Sequence, residues 1–124
     1  MSAPVHVTFR HMTPRTELEE YARDQAGRLD RFCARIVDCR VLLEPTDAGV
    51  LRTAVEVTVP GERIVASFES EPERVGIPDG ERPTVPQARW LHALHEAFDS
   101  AGRMLETYAG RRLTRARYGV ATRR

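Results

Sequence analysis

The sequence predicts an α+β two-layer sandwich of order β-α-β-β-β-α, a four-stranded sheet with two helices on one face. Three observations lead there. Residues 55 to 69, VEVTVPGERIVASFE, alternate apolar and polar on either side of a Pro-Gly pair, the period-two pattern of a half-buried hairpin. Two longer stretches, near residues 14–33 and 86–109, instead repeat their apolar residues at spacings of three and four, as one face of a helix does. A chain of 124 residues with 41% hydrophobic content is long enough for one core, and no apolar run approaches the roughly 18 residues of a membrane span.

The elements follow in order. VHVTFR (Val5 to Arg10) alternates like a strand. Thr13 and Pro14 then mark a helix start, a capping side chain followed by proline at the first position, where no backbone donor is missed. Leu18, Tyr21, Ala22, Leu29, Phe32 and Cys33 share one helical face, so the first helix is expected over residues 14–33. Arg28, Arg31 and Arg35 lie three and four apart on its flank. Strand periodicity returns in RIVDCRVLLE, with Val37, Cys39, Val41 and Leu43 on one face, and the loop EPTDAG turns the chain. Leu51, Thr53, Val55, Val57 and Val59 alternate up to Pro60-Gly61. Pairing Val59 with Glu62 sets Val57 opposite Ile64, Val55 opposite Ala66 and Thr53 opposite Phe68, all with their apolar side chains on one face. The Pro-Gly pair suits a type II turn, which matches strand twist less well than the primed types and leaves a wider loop open.

Residues 70–86 hold four prolines and two glycines without periodicity and read as a surface loop. Leu91, Leu94, Phe98, Ala101, Leu105 and Tyr108 then define a second helix from near Pro86 to Ala109 or beyond, ending near Gly110. The expected organisation is one domain over residues 1–113 and an arginine-rich tail over residues 114–124. On the outer face of the sheet Arg52, Glu56, Thr58 and Glu69 are left to solvent or to a partner.

The net charge of +1 conceals a dipole. Residues 44–81 carry nine acids against three arginines, a balance of −6, and residues 101–124 carry seven arginines against Glu106, a balance of +6. All 19 basic residues are arginine, whose planar fork stays charged and matches phosphate. MSAPVHVTFRH has neither the basic nor the apolar region of a secretion signal, so a cytoplasmic location is expected. Two cysteines, Cys33 and Cys39, are too few for a disulfide framework and are read as free structural thiols.

Signals of an enzyme are scarce: no glycine-rich phosphate loop, serine elbow or CxxC appears, and no small-molecule substrate or cofactor is expected. His92, His95 and Glu96 have a spacing that could set two imidazoles on one side of a helix, but no third conventional metal ligand accompanies them, and an ordinary helical surface is the favoured reading. Trp90 is expected in the core rather than stacked on a base. The basic clusters carry more weight. Arg28, Arg31 and Arg35 end the first helix, and Arg111, Arg112, Arg115 and Arg117 follow the second; side-by-side helices would let them flank one groove suited to a phosphate backbone. The alternative is a solvated helix face plus a disordered tail.

FRHMTPRTELEEYARDQAGRLDRF, with Arg-His after the first strand, Leu18 and Tyr21 in the helix and Arg28-Leu29-x-Arg31-Phe32 at its close, resembles the ribosome hibernation-promoting factors, also called ribosome-associated inhibitors. The likeness continues through RIVDCRVLLE, VTVPGERIVASFES and the Ala93-Leu94 to Leu105 part of the second helix. It implies a fold like the double-stranded-RNA-binding domain and a short-type, non-enzymatic factor. Such a factor binds small-subunit rRNA in the messenger and transfer RNA channel and silences idle ribosomes under stress or in stationary phase. By position it adds Arg103 to Arg28, Arg31 and Arg35 as RNA-binding residues, and no dedicated dimerisation domain is expected. The chain departs from the family where a usual helix-one lysine is Gln25, where an Asp-Lys pair becomes Asp99-Ser100, and at Glu106-Thr107-Tyr108-Ala109, so that positive charge shifts to Arg111 and beyond. The competing expectations are a protein-interaction module of the same fold that has lost ribosome binding, using the acidic middle of the chain, and a small metal enzyme on His92, His95 and Glu96.

Overall fold

The computed structural model describes residues 3–32, 35–46, 50–70 and 87–122, with side chains along the last helix described as far as Arg111. Its elements are β1 (Val5–Phe9), α1 (Thr16–Arg28) closed by a 3-10 turn over Leu29–Arg31, β2 (Asp38–Pro45), β3 (Leu51–Val59), β4 (Glu62–Glu69) and α2 (Gln87–Thr122). The strands stand in sequence order in one mixed sheet, β1 parallel to β2 and the other pairs antiparallel. A parallel neighbour requires a crossover, and α1 supplies it. The expected β-α-β-β-β-α order and two-layer arrangement are therefore present.

Period-two patterning decides which sheet face is dry. Leu51, Thr53, Val55, Val57 and Val59 are all buried, and opposite them Ile64 and Ala66 are buried and Phe68 is half-buried. The register is the one counted from the turn: Val59 with Glu62, Val57 with Ile64, Val55 with Ala66, Thr53 with Phe68. The connection is no wider than Pro60-Gly61, because Gly61 sits at φ +80°, a left-handed backbone that glycine adopts without steric cost at the third position of a type II turn. Both helices cover this face, α1 against β1 and α2 against β3 and β4. Trp90, Leu94, Ala97, Phe98, Ala101, Leu105 and Tyr108 form the buried stripe of α2, and Leu18, Ala22, Ala26 and Leu29 that of α1. Thr53 is fully buried as well, and its hydroxyl lies 3.2 Å from both the Phe68 and the Ala93 carbonyls, so one proton links β4 to α2.

Four local readings are corrected. The first helix starts at Thr16, with Arg15 in extended geometry at its N-cap, and not at Thr13-Pro14: Met12 packs against the core, and the following residues must first carry the chain from the sheet to the helix layer. It ends at Arg28 and tightens into the 3-10 turn, so Arg35 is not on the helix; Cys33 lies outside the described residues. Val37 precedes β2 and is 53% exposed, unlike Cys39, Val41 and Leu43, which are buried as expected. The second helix runs through Gly110 to Thr122, because a single exposed glycine costs only about 1 kcal/mol in a helix and good helix formers follow it. Of the loop expected over residues 70–86, all but Ser70 falls outside the described residues.

Cys39 is a free thiol under the helices. Burial, with a further contribution from the Asp38 carboxylate, pushes it up to about 12 from an ordinary 9.0. The folded thiol thus holds its proton where the unfolded one gives it up. This contribution to stability is complete below pH 9 and is lost as pH rises towards 12. A Cys33→Ser protein, with Cys39 as its single thiol, is expected to leave Ellman's reagent unreacted at pH 8 until denaturant is added; prompt reaction of the folded protein would contradict the burial.

Candidate nucleic-acid interface

The two helices run in the same direction. α2 begins beside Thr53, whose hydroxyl reaches the Ala93 carbonyl, and passes the other end of the sheet where the Tyr108 hydroxyl donates to the Pro60 carbonyl at 2.8 Å. α1 passes Val5, whose carbonyl accepts from Arg23 at 2.8 Å, and the chain then returns to the sheet with the Val37 N–H donating to the Thr58 carbonyl at 2.7 Å. Both helix C-termini are therefore directed toward the end of the sheet that carries the Pro60-Gly61 turn. Phe32 packs where α2 carries Gly102: a Cβ added there would meet the ring at 3.0 Å, so a larger residue would require the ring to shift by a few tenths of an ångström.

This end collects the arginines predicted to meet RNA. Arg28, Arg31 and Arg35 are all exposed. Arg28 pairs with Asp24 at 3.2 Å. Arg31 donates from Nε to the Arg28 carbonyl at 3.3 Å and sets its guanidinium 5.6 Å from the centre of the Phe32 ring. Arg103 follows Gly102 directly and pairs with Asp99 one turn back. Arg111 donates to Glu62 at 3.1 Å. Arg112, Arg115 and Arg117 belong to the helical backbone past Arg111 rather than to a tail without helix; their side chains lie outside the described residues. At 1.5 Å per residue the helix continues about 16 Å beyond Arg111. Arg28, in the last turn of α1, and Arg31, in the 3-10 turn that closes it, also complement the negative dipole end of that helix. Tyr21, two turns before Arg28, has its phenol raised by burial, partly offset by that arginine's charge, with Asp24 adding to the rise.

The ion pairs holding these arginines are exposed and worth about 0–1 kcal/mol each, so phosphate can displace the carboxylates at small cost. The acid-rich middle is differently placed. Glu44 meets His11 at 3.7 Å and Arg52 at 3.6 Å, Arg52 also holds Glu69 at 3.2 Å, and Glu56 holds Arg63 at 3.3 Å. Much of the negative charge on the outer sheet face is thus matched within the chain. The imidazole of His92 stands edge-on to Phe68, ring centres 5.8 Å apart, and the described residues contain no group of three His, Cys, Asp or Glu able to hold a metal. Trp90 is 1% exposed, packed as expected and closed to any base.

Sequence reasoning missed the residues that position the arginines. Gly102 carried a faint signal, a residue without a side chain inside the apolar stripe between Phe98 and Leu105. The Tyr108 to Pro60 and Arg111 to Glu62 contacts join positions about fifty residues apart, and no local pattern announces them.

A family model described as Sigma 54 modulation protein / S30EA ribosomal protein matches residues 5–76. The fold is similar to that of the Protein Y N-terminal domain from Thermus thermophilus, with a TM-score of 0.60 at 15% identity, covering 87% of this chain and 99% of that one. It is also similar to a ribosomal subunit interface protein from Coxiella burnetii, with a TM-score of 0.63 at 14% identity over 86% of this chain and 98% of the other. No curated protein matches the chain.

Proposed function

The chain belongs to the Sigma 54 modulation protein / S30EA ribosomal protein family, and from that premise we propose that it is a cytoplasmic, ribosome-associated hibernation factor. It binds small-subunit rRNA in the channel used by messenger and transfer RNA and silences idle ribosomes under stress or in stationary phase. The observation that supports this most is the gathering of Arg28, Arg31, Arg103 and Arg111 toward the end of the sheet that carries the Pro60-Gly61 turn, with Arg35 in the link after α1 and Arg112 and Arg115 on the continuing helix. Arginine forks grip phosphate oxygens in pairs, and a folded domain held by them fills a volume that tRNA needs. Silencing then requires no covalent step: inhibition is occlusion, and no side chain acts as a catalyst.

The decisive experiment is co-sedimentation of the full chain with ribosomes and separated subunits. Saturable binding near one copy per small subunit, lost when tRNA is added, is the expected result. Absence of binding at low salt, with retention of the chain by a protein partner instead, would replace this reading with that of an interaction module.

A further inference from the structure

The two edges of the sheet are treated differently. On β1, the Cys39 N–H donates to the Pro4 carbonyl and the Arg10 N–H to the Leu43 carbonyl, so the Val5 carbonyl points to the open side. There the Arg23 guanidinium occupies it. On β4 the phase is set by the two-residue turn and by the Ser70 N–H donating to the Leu51 carbonyl at 3.0 Å. Glu62, Ile64, Ala66 and Phe68 consequently exchange hydrogen bonds with β3, and the peptide groups of Arg63, Val65, Ser67 and Glu69 face away from it. Among the described residues no strand pairs with that side. β4 is eight residues long and carries no proline, its edge charges on the solvent face are one arginine and one glutamate, Arg63 and Glu69, and Val65 between them is 52% exposed.

The outward row reads Arg-Val-Ser-Glu, and it is complementary to itself when reversed. We propose that β4 pairs antiparallel with the β4 of a second copy of this chain about a two-fold axis at Ala66, joining two sheets into one. In that register Arg63 faces the partner's Glu69 twice, Val65 faces Ser67, and on the covered side Ala66 meets its own copy between two Ile64 to Phe68 pairs. An axis at Val65 would set Arg63 against Ser67 and lose both charge pairs, which selects the first register. The charges are already poised: Arg63 lies 3.3 Å from Glu56 and Glu69 lies 3.2 Å from Arg52, all toward the solvent side of the sheet. Pairing extends these two bridges into one chain of alternating sign, Glu56, Arg63, then Glu69 and Arg52 of the partner copy. The inference uses none of the arginines assigned to RNA and stands or falls apart from the ribosome reading.

Sedimentation equilibrium of the full chain from about 1 to about 500 μM should show a concentration-dependent dimer. The Ser67→Pro variant tests the edge, because the Ser67 N–H has no partner on β3 and the monomer keeps its ladder. It should retain its melting temperature within a few degrees and lose the dimer. Arg63→Glu and Glu69→Arg should each weaken association about tenfold or more, and the double variant carrying both should recover it. A wild-type chain that stays monomeric throughout overturns the proposal. So does slow amide exchange at Val65 and Ser67 in a monomer, which would assign the edge to another segment of the same chain. A dimer that survives Ser67→Pro places the interface elsewhere, and failure of the double variant to recover overturns the register.

Discussion

On the proposed function, replacing Arg28, Arg31 and Arg35 together by glutamine is expected to lower affinity for the small subunit by about a hundredfold near 100 mM salt and to flatten its salt dependence. If the arginine clusters neutralise about six phosphates, wild-type affinity falls several hundred- to a thousand-fold between 50 and 200 mM salt, and each lost contact takes roughly 0.7 to 0.9 from the logarithmic slope. The substitution is clean. All three side chains are exposed, the Arg28 to Asp24 pair is a surface bridge worth about 0–1 kcal/mol, and glutamine keeps helix propensity, so the melting temperature should hardly move. Filter binding or sedimentation across a salt series reads the slope directly. A slope equal to that of the wild type would remove the end of α1 from the RNA site, whatever happens to the absolute affinity.

Trp90→Ala should cost about 3–5 kcal/mol, a large part of the stability of a domain this size. The indole is the largest fully buried side chain, 1% exposed at the first turn of α2, where it packs into the same cluster as Leu43, Leu51 and Leu94. Truncation leaves a cavity where the helix begins to cover the sheet, and the Thr53 to Ala93 contact one turn later loses its support. Urea denaturation should show the midpoint falling. Trp90 is also the sole tryptophan, so its emission reports the core alone. It should be blue-shifted in the folded chain and unchanged when ribosomes bind; quenching by RNA without unfolding would contradict its burial.

The parts that could be read from the chain are those where one short-range rule decides. A two-residue turn and strict alternation leave the β3–β4 pair a single register, and the stripe from Leu91 to Tyr108 leaves α2 a single buried face. Where distant groups decide, the pattern falls short. Gly110 looks like a terminator, yet Tyr108 is held by Pro60 and Arg111 by Glu62, and a helix tied on both sides of one exposed glycine continues through it. Val37 continues the alternation of β2 in sequence, but the strand begins at Asp38 and leaves it in solvent. The candidate site divides in the same way. Arginine positions are visible as letters, while their gathering at one end depends on Phe32 seating at Gly102, a contact across seventy residues.

Strand order that equals chain order also sets how the protein is assembled in time. During synthesis each strand finds its neighbour already made: β2 beside β1, β3 beside β2, β4 folding back on β3 through the two-residue turn. Such local closure is fast, a matter of microseconds for a hairpin, whereas translation adds about 5–20 residues per second. α2 arrives last, yet it covers Val55, Val57, Ile64 and Ala66. For the seconds that it takes to emerge, the nascent chain presents a sheet whose apolar face is dressed on one side only, by α1, and the final helix is both the lid of the core and the signal that the domain is finished.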